Sequence, residues 1–302
     1  MADPSSEFAL HEARCVVFDP VQLNRQATLA SLYEVGFRDI DTPKSISGLN
    51  ALLNENLVDL LIVDATVHEI DLCKLIRGMR QGRVGDNVFT LVLATAWWLG
   101  GGRFDRIMRA GVDDLLRRPV SIAQIAQRVR AFLATRRPFL VTKPYVGPNH
   151  FLTGALPYST DVIRGRDVDV PNTLVGHSGP NRKIYDAIKE IRKAQTEIKR
   201  ALLSIEVDRL EDNLALGDPT EVGAVCRRLV SLSTEMDMGE VKALSEAILQ
   251  LVEDIAQIDV ARIKLIQQII KAIRLCEGET NDEERRLTGA IIQKVEILRR
   301  SA

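Results

Sequence analysis

Between Cys15 and Arg137 the chain alternates short, strongly apolar runs with amphipathic stretches of helical length, and this alternation constrains the fold more than any other feature of the 302 residues. The strand candidates are Cys15–Asp19, Asp39–Thr42, Leu57–Asp64, Val88–Thr95 and Val112–Leu116. Runs such as LLIVD and TLVLA are apolar on both faces, as central parallel strands covered by helices on each side must be. The gaps read as helices over Leu23–Val35, Ser45–Glu55, Glu69–Gln81, Arg103–Ala110 and Ser121–Thr135. Five βα units imply an open, doubly wound α/β sheet, with a ligand crevice at the carboxyl ends of its strands.

The rest of the chain is built differently. Residues 138–180 hold Pro138, Pro144, Pro148, Pro157, Pro171 and Pro180 among glycines and isolated apolar residues. This reads as a linker, either a tether or a segment wrapped onto a domain through Phe139–Val141, Tyr145 and Tyr158. Residues 181–302 contain one proline, Pro219, no aromatic after Tyr185, and helical periodicity throughout. An apolar seam runs Val241, Leu244, Ile248, Leu251, Ile255, Ile258, Leu265, Ile269, Ala272 and Cys276, interrupted by Arg262, and predicts one long helix over 239–276. A similar seam over Ile184, Ile188, Ile191, Ile198, Leu202 and Ile205 holds Gln195, and a last helix is expected over Asp282–Arg300. These faces suit an all-α bundle or coiled-coil domain that pairs two chains, against a self-contained bundle as the plainer alternative. The expected organisation is a tail over 1–12, a sheet domain over 13–137, a linker over 138–180 and a helical domain over 181–302.

Charge narrows the function classes. Residues 1–140 carry 17 basic and 16 acidic side chains, 141–180 carry 3 and 3, and 181–302 carry 20 and 22. No segment has the basic excess that neutralises phosphates, so no nucleic-acid partner is expected. No run of about 18 apolar residues suggests a membrane span, and no amino-terminal apolar stretch reads as a secretory signal, which places the chain in the cytoplasm. Cys15, Cys73, Cys226 and Cys276 are scattered and read as reduced, buried thiols.

The strand ends hold the chemistry. Asp19 closes the first strand, Asp64 the third and Thr95 the fourth, and Arg118–Pro119 follows the fifth. Two carboxylates, a hydroxyl and a cation meeting in one crevice suit a phosphoryl group and its metal. With VVFDP, LLIVDA, LATA and RRPVS in this order, residues 13–137 resemble the receiver domain of two-component response regulators. The resemblance implies the strand order 2-1-3-4-5, phosphorylation of Asp64 by a histidine kinase, Thr95 and Arg118 contacting the phosphoryl group, and Mg²⁺ held by Asp19 and Asp64. Three departures stand against this. Pro20 occupies the place of a second metal-binding acid, Arg118 replaces the family lysine, and Leu115 replaces an aromatic switch residue. Two readings of Asp64 therefore stay open: a phosphoacceptor, or part of a receiver-like module that no longer depends on phosphorylation. Trp97 and Trp98 are expected beside the crevice, as a partner surface if exposed and as core if buried.

For the helical half, residues 181–302 lack the short helix-turn-helix punctuation of a DNA-binding output. The histidines, His11, His68, His150 and His177, all lie outside it, which removes a phosphorelay role. An acid and an amide one helical turn apart, Gln250 with Asp254 or Glu253 with Gln257, allow a receiver phosphatase as the alternative activity. The preferred reading assigns no catalytic residue. It is an atypical, DNA-independent response regulator acting through protein–protein contacts, partnered by a histidine kinase or other signalling protein and by a second copy of itself through 181–302.

Overall fold

The computed structural model describes residues 10–66, 68–97, 100, 102–150, 165–175, 182–253, 255–276, 289, 290 and 293. Two compact units divide the chain, Met1–Gln195 and Thr196–Ala302.

The first unit is built on five parallel strands, β1 (Arg14–Phe18), β2 (Asp39–Asp41), β3 (Leu60–Asp64), β4 (Leu91–Ala96) and β5 (Asp114–Arg117), in the order β2-β1-β3-β4-β5. Helices α1 (Gln22–Val35), α2 (Ile46–Glu55), α3 (Glu69–Arg80), α4 (Arg103–Met108) and α5 (Ile122–Ala134) follow the strands in turn. Every residue of β3 and β4 is buried, as expected of strands covered on both faces. Val16, Leu61, Val63, Val92 and Ala94 enter the core beneath α2, α3 and α4, whereas Val17, Leu60, Ile62, Leu91 and Leu93 meet Leu32, Ile125 and Val129 on the other face. Local signals set the helix starts. Ser45 accepts from the Gly48 N–H before α2, and Ser121 and Gln124 form a reciprocal capping box before α5. Leu10, in the expected tail, is buried in the second of these cores.

The proline-rich segment continues this unit. β6 (Phe139–Val141) pairs antiparallel with β7 (Val146–Pro148) and β8 (Arg166–Val168). Leu174 is fully buried among Ile62, Leu91 and Phe132, and the Thr173 hydroxyl donates to the Asp59 carbonyl at 2.9 Å. Tyr158 lies outside the described residues.

Beyond it come α6 (Arg182–Leu216), α7 (Pro219–Glu235), α8 (Gly239–Val252) and α9 (Val260–Cys276). In the second unit Leu203, Val207, Leu210 and Leu214 share a core with Val225 and Leu229, Leu244 and Ile248, and Ile266, Ile269 and Ile273. Asp218 caps α7 by accepting from the Thr220 and Glu221 N–H groups, with Pro219 at its first position.

The single helix expected over 239–276 is two. The backbone leaves the helix at Glu253, and Asp259 restarts it by accepting the Arg262 N–H at 2.8 Å. Ile258, in the connection, is still turned into the core, so the apolar spacing continues across a break that it does not mark. The final helix expected over 282–300 falls almost wholly outside the described residues. No described helix is long and apolar enough to cross a membrane.

Candidate functional site

The crevice is made by the ends of β1, β3, β4 and β5. Strands β3 and β4 are in a register that sets Asp64 beside Thr95, and the Arg118 N–H donates to the Ala96 carbonyl at 2.8 Å, which brings the end of β5 level with them. Asp19 follows β1 directly. All four expected residues come together, and all are buried: Asp19 and Asp64 at 3% exposure, Thr95 at 1% and Arg118 at 8%.

Each acid makes the same local turn. Asp19 Oδ1 accepts the Val21 N–H at 2.8 Å, and Asp64 Oδ1 accepts the Thr66 N–H at 2.7 Å. In both, a side-chain oxygen takes the backbone donor two residues on, which fixes the carboxylate at the strand end. The remaining oxygens go to one cation. Arg118 Nη2 donates to Asp19 Oδ2, and its Nε lies 3.0 Å from Asp64 Oδ2. The second contact is an ion pair without hydrogen-bond alignment, since Arg118 Nε has no hydrogen-bond partner. A second guanidinium, that of Arg25, donates to the Asp19 carbonyl at 2.6 Å. Burial raises the Asp19 carboxyl above its ordinary value, outweighing the Val21 N–H and the Arg118 charge that lower it.

Thr95 faces inward. Its hydroxyl donates to the Val63 carbonyl at 3.3 Å, so in this state it is tied to the neighbouring strand. Leu115 is half-buried and packs between the α3–α4 core and a small cluster with Phe104, Met108, Leu140 and Tyr145. Trp97 is 49% exposed beside the crevice, and Trp98 lies outside the described residues.

Mg²⁺ does not fit these residues as they stand. All four carboxylate oxygens of Asp19 and Asp64 are engaged by a backbone N–H or by Arg118. The side chain at position 20 carries no oxygen, and among the described residues no group of three or more His, Cys, Asp or Glu could hold a metal.

Sequence reasoning missed a second buried ionic cluster at the start of β5. Asp113 Oδ2 pairs with Arg80 Nη2 at 2.9 Å and Oδ1 with Arg136 Nη1 at 2.6 Å. Both guanidiniums lie over the Phe139 ring, 5.2 and 5.3 Å from its centroid. His150 is buried beside them, with Nε2 2.7 Å from the Val112 carbonyl and Nδ1 2.9 Å from Arg137 Nη1. Of Arg80, Asp113 and Arg136, only Arg80 sits within a helix or strand; Asp113 precedes β5 and Arg136 follows α5, so no periodic pattern in the sequence marks the cluster.

Only one of the two acid–amide pairs expected on a long helix lies wholly among the described residues. Gln257 lies in the connection between α8 and α9, so Glu253 and Gln257 are not one helical turn apart. Gln250 is exposed near the end of α8, and Asp254 lies outside the described residues.

No family model matches the chain. A probable transcriptional regulatory protein of Picosynechococcus sp. is 28% identical over 172 residues, covering 53% of this chain and 64% of that protein; the match thus spans less than two thirds of the relative's length. Among solved structures, the chain resembles a signal receiver domain of a two-component histidine kinase from Clostridium thermocellum, at 15% identity over 40% of this chain and 96% of that one, with a TM-score of 0.36. A response regulator from Thermotoga maritima matches at 20% identity over 41% and 99%, also with a TM-score of 0.36. So does the receiver domain of a sensor histidine kinase from Pseudomonas aeruginosa PAO1, with magnesium coordinated in its active-site cleft, at 15% identity over 41% and 99% and a TM-score of 0.36. Residues 14–134 form a doubly wound five-stranded parallel sheet in the order 2-1-3-4-5, the fold that the resemblance to receiver domains implies. The helical half is not assigned to a family.

Proposed function

We propose that the chain is an atypical response regulator that signals through protein–protein contacts without phosphorylation of Asp64 and without binding DNA. The carrying observation is the buried Arg118 between Asp19 and Asp64. An attacking carboxylate needs a free oxygen facing the phosphoryl donor and a metal to offset the charge that develops, and here both Asp64 oxygens are engaged. The resident fold then serves as a shaped surface, with the half-exposed Trp97 next to the crevice as a contact for a histidine kinase or another signalling protein.

The helical half supplies the second contact. Ile184, Ile188, Ile198, Leu202 and Ile205 remain half-buried along α6, and this row is the face proposed to pair two chains. The balanced charge of every segment supports a role away from DNA, in contrast to what the name of the Picosynechococcus relative would suggest if carried over.

The test is exposure of the full chain to acetyl phosphate or beryllofluoride with Mg²⁺, read by intact mass for the first and thermal shift for the second, on wild type and Asp64→Asn. The expected result is no adduct and no shift in either. A phosphoryl adduct on wild type that Asp64→Asn lacks would overturn the reading. Light scattering on the full chain tests the dimer, and a gel shift with duplex DNA at physiological salt tests the absence of nucleic-acid binding.

A further inference from the structure

We infer that Arg118 is the resident counter-cation of the crevice: its guanidinium takes the place that a divalent metal would hold between Asp19 and Asp64, and the crevice becomes a divalent-cation site only when that guanidinium is removed. The inference deepens the proposed function and rests on the same ion pairs, but it concerns metal occupancy rather than phosphotransfer.

The argument starts from the two buried acids. Asp19 and Asp64 come from the ends of adjacent strands β1 and β3 and are each 3% exposed. Two carboxylates brought this close in a low-dielectric crevice repel one another and need a positive charge between them. A divalent cation is one solution. Arg118 is another, because its planar guanidinium carries several N–H groups in a fixed arrangement, and here Nη2 reaches Asp19 Oδ2 while Nε lies 3.0 Å from Asp64 Oδ2. A lysine at this position carries its charge on one compact ammonium at the end of a flexible stem, whereas the guanidinium spreads its charge over a rigid plane that reaches both acids.

Pro20 fits the same account. A metal at this site would draw on an oxygen from position 20, whereas a guanidinium held by Asp19 and Asp64 needs none. The two departures from the receiver pattern that look independent in the sequence, Pro20 and Arg118, thus have one structural cause. The Arg118 Nε that lacks hydrogen-bond alignment points to the limit of the fit: a guanidinium spans the two acids but does not saturate both with straight hydrogen bonds.

The test is Mn²⁺ binding, followed by titration calorimetry and by the electron spin resonance of free Mn²⁺, on the full chain as wild type, Arg118→Met and Arg118→Met with Asp64→Asn. Wild type is expected to show no saturable binding and no change of Tm between Mn²⁺ and EDTA. Arg118→Met is expected to gain one saturable site and a Tm that rises with Mn²⁺, and the double variant to lose both. If Arg118→Met folds only when Mn²⁺ is present, that also supports the assignment. Saturable binding by wild type that Asp64→Asn abolishes would overturn it, and so would a folded Arg118→Met that takes up no Mn²⁺. Because the functional reading is judged on phosphoryl adducts and this one on metal uptake, the two fail separately.

Discussion

Strand β5 separates two buried ionic clusters of opposite composition. Before it, one carboxylate, Asp113, is shared by two guanidiniums, Arg80 and Arg136; after it, one guanidinium, Arg118, is shared by two carboxylates, Asp19 and Asp64. The first is tied into the backbone on every side. Arg80 also donates to the carbonyls of Gly111, Val88 and Thr90, Arg136 to that of Phe89, and Asp113 accepts the Val92 N–H. The second has only two backbone donors on its acids and lies at the strand ends, where ligands bind in sheets of this kind. A cluster that ties the carbonyls of 88–90 and of Gly111 to two helix-end guanidiniums serves the fold. A cluster held by one removable side chain at the strand ends is the one on which the proposed function rests.

The comparison breaks most visibly at Asp113. Asp113→Ala leaves two guanidiniums buried over Phe139 with no counter-charge, and breaking a buried pair of this kind costs about 3–5 kcal/mol. Burial already lowers Arg136 to about 10, a sign of how much of its charge rests on the environment. Urea denaturation of wild type and variant at pH 7 checks the value, and the deficit is expected to persist at pH 5, because guanidiniums stay charged there.

Arg118→Met should cost less, about 2–3 kcal/mol without metal, because unpaired carboxylates can neutralise themselves by taking up protons. Its pH dependence therefore has the opposite character. Burial already raises the Asp19 carboxyl and Arg118 lowers it, so with Arg118 gone Asp19 binds a proton more readily folded than unfolded, and the deficit against wild type shrinks as the pH falls from 7 to 5. Equal deficits at the two pH values would show that the crevice is no more adaptable than the Asp113 cluster.

His150 sharpens the same contrast at smaller scale. Burial lowers its folded pKa below the ordinary 6.5, outweighing the Val112 carbonyl that raises it. The unfolded chain then binds the extra proton first, so His150 lowers stability as the pH falls through about 6.5 and this loss levels off below the folded value. His150→Asn removes that slope. The difference in unfolding free energy between variant and wild type should move in the variant's favour between pH 7.5 and 5.5, by at most about 1 kcal/mol.

Much of the fold was legible in the sequence, and each miss has its own physical cause. The five strands and five helices were readable because both faces of β3 and β4 are apolar and because Ser45 and Ser121 mark helix starts. Asp19, Asp64, Thr95 and Arg118 were readable because strand ends in such a sheet converge. What Arg118 does there was not, since a cation's partners depend on its angle of entry. The Asp113 cluster joins positions 80, 113 and 136, separated by more than any periodicity connects. The break between α8 and α9 was hidden because Ile255 and Ile258 keep the seam's spacing without keeping its helix. The strands of 139–168 were obscured by prolines that suit short edge strands as well as linkers.

The helical unit offers the control for all of these. Arg274 meets Asp208 at 2.6 Å and Glu211 at 2.9 Å, so it repeats the crevice's composition of one guanidinium and two acids. The difference is exposure: the side chains of Arg274, Asp208 and Glu211 are 34%, 61% and 49% exposed, against 7%, 2% and 3% for Arg118, Asp19 and Asp64. Its hydrogen bonds to both acids push the Arg274 pKa up, but water already solvates all three groups in the unfolded and folded chain alike. Arg274→Met should therefore change stability by less than about 1 kcal/mol, and the change should fade further in high salt as screening removes it. If Arg274→Met instead matched Arg118→Met in urea, the number of charges rather than their burial would govern these clusters, and the distinction between the crevice and the surface would fall with it.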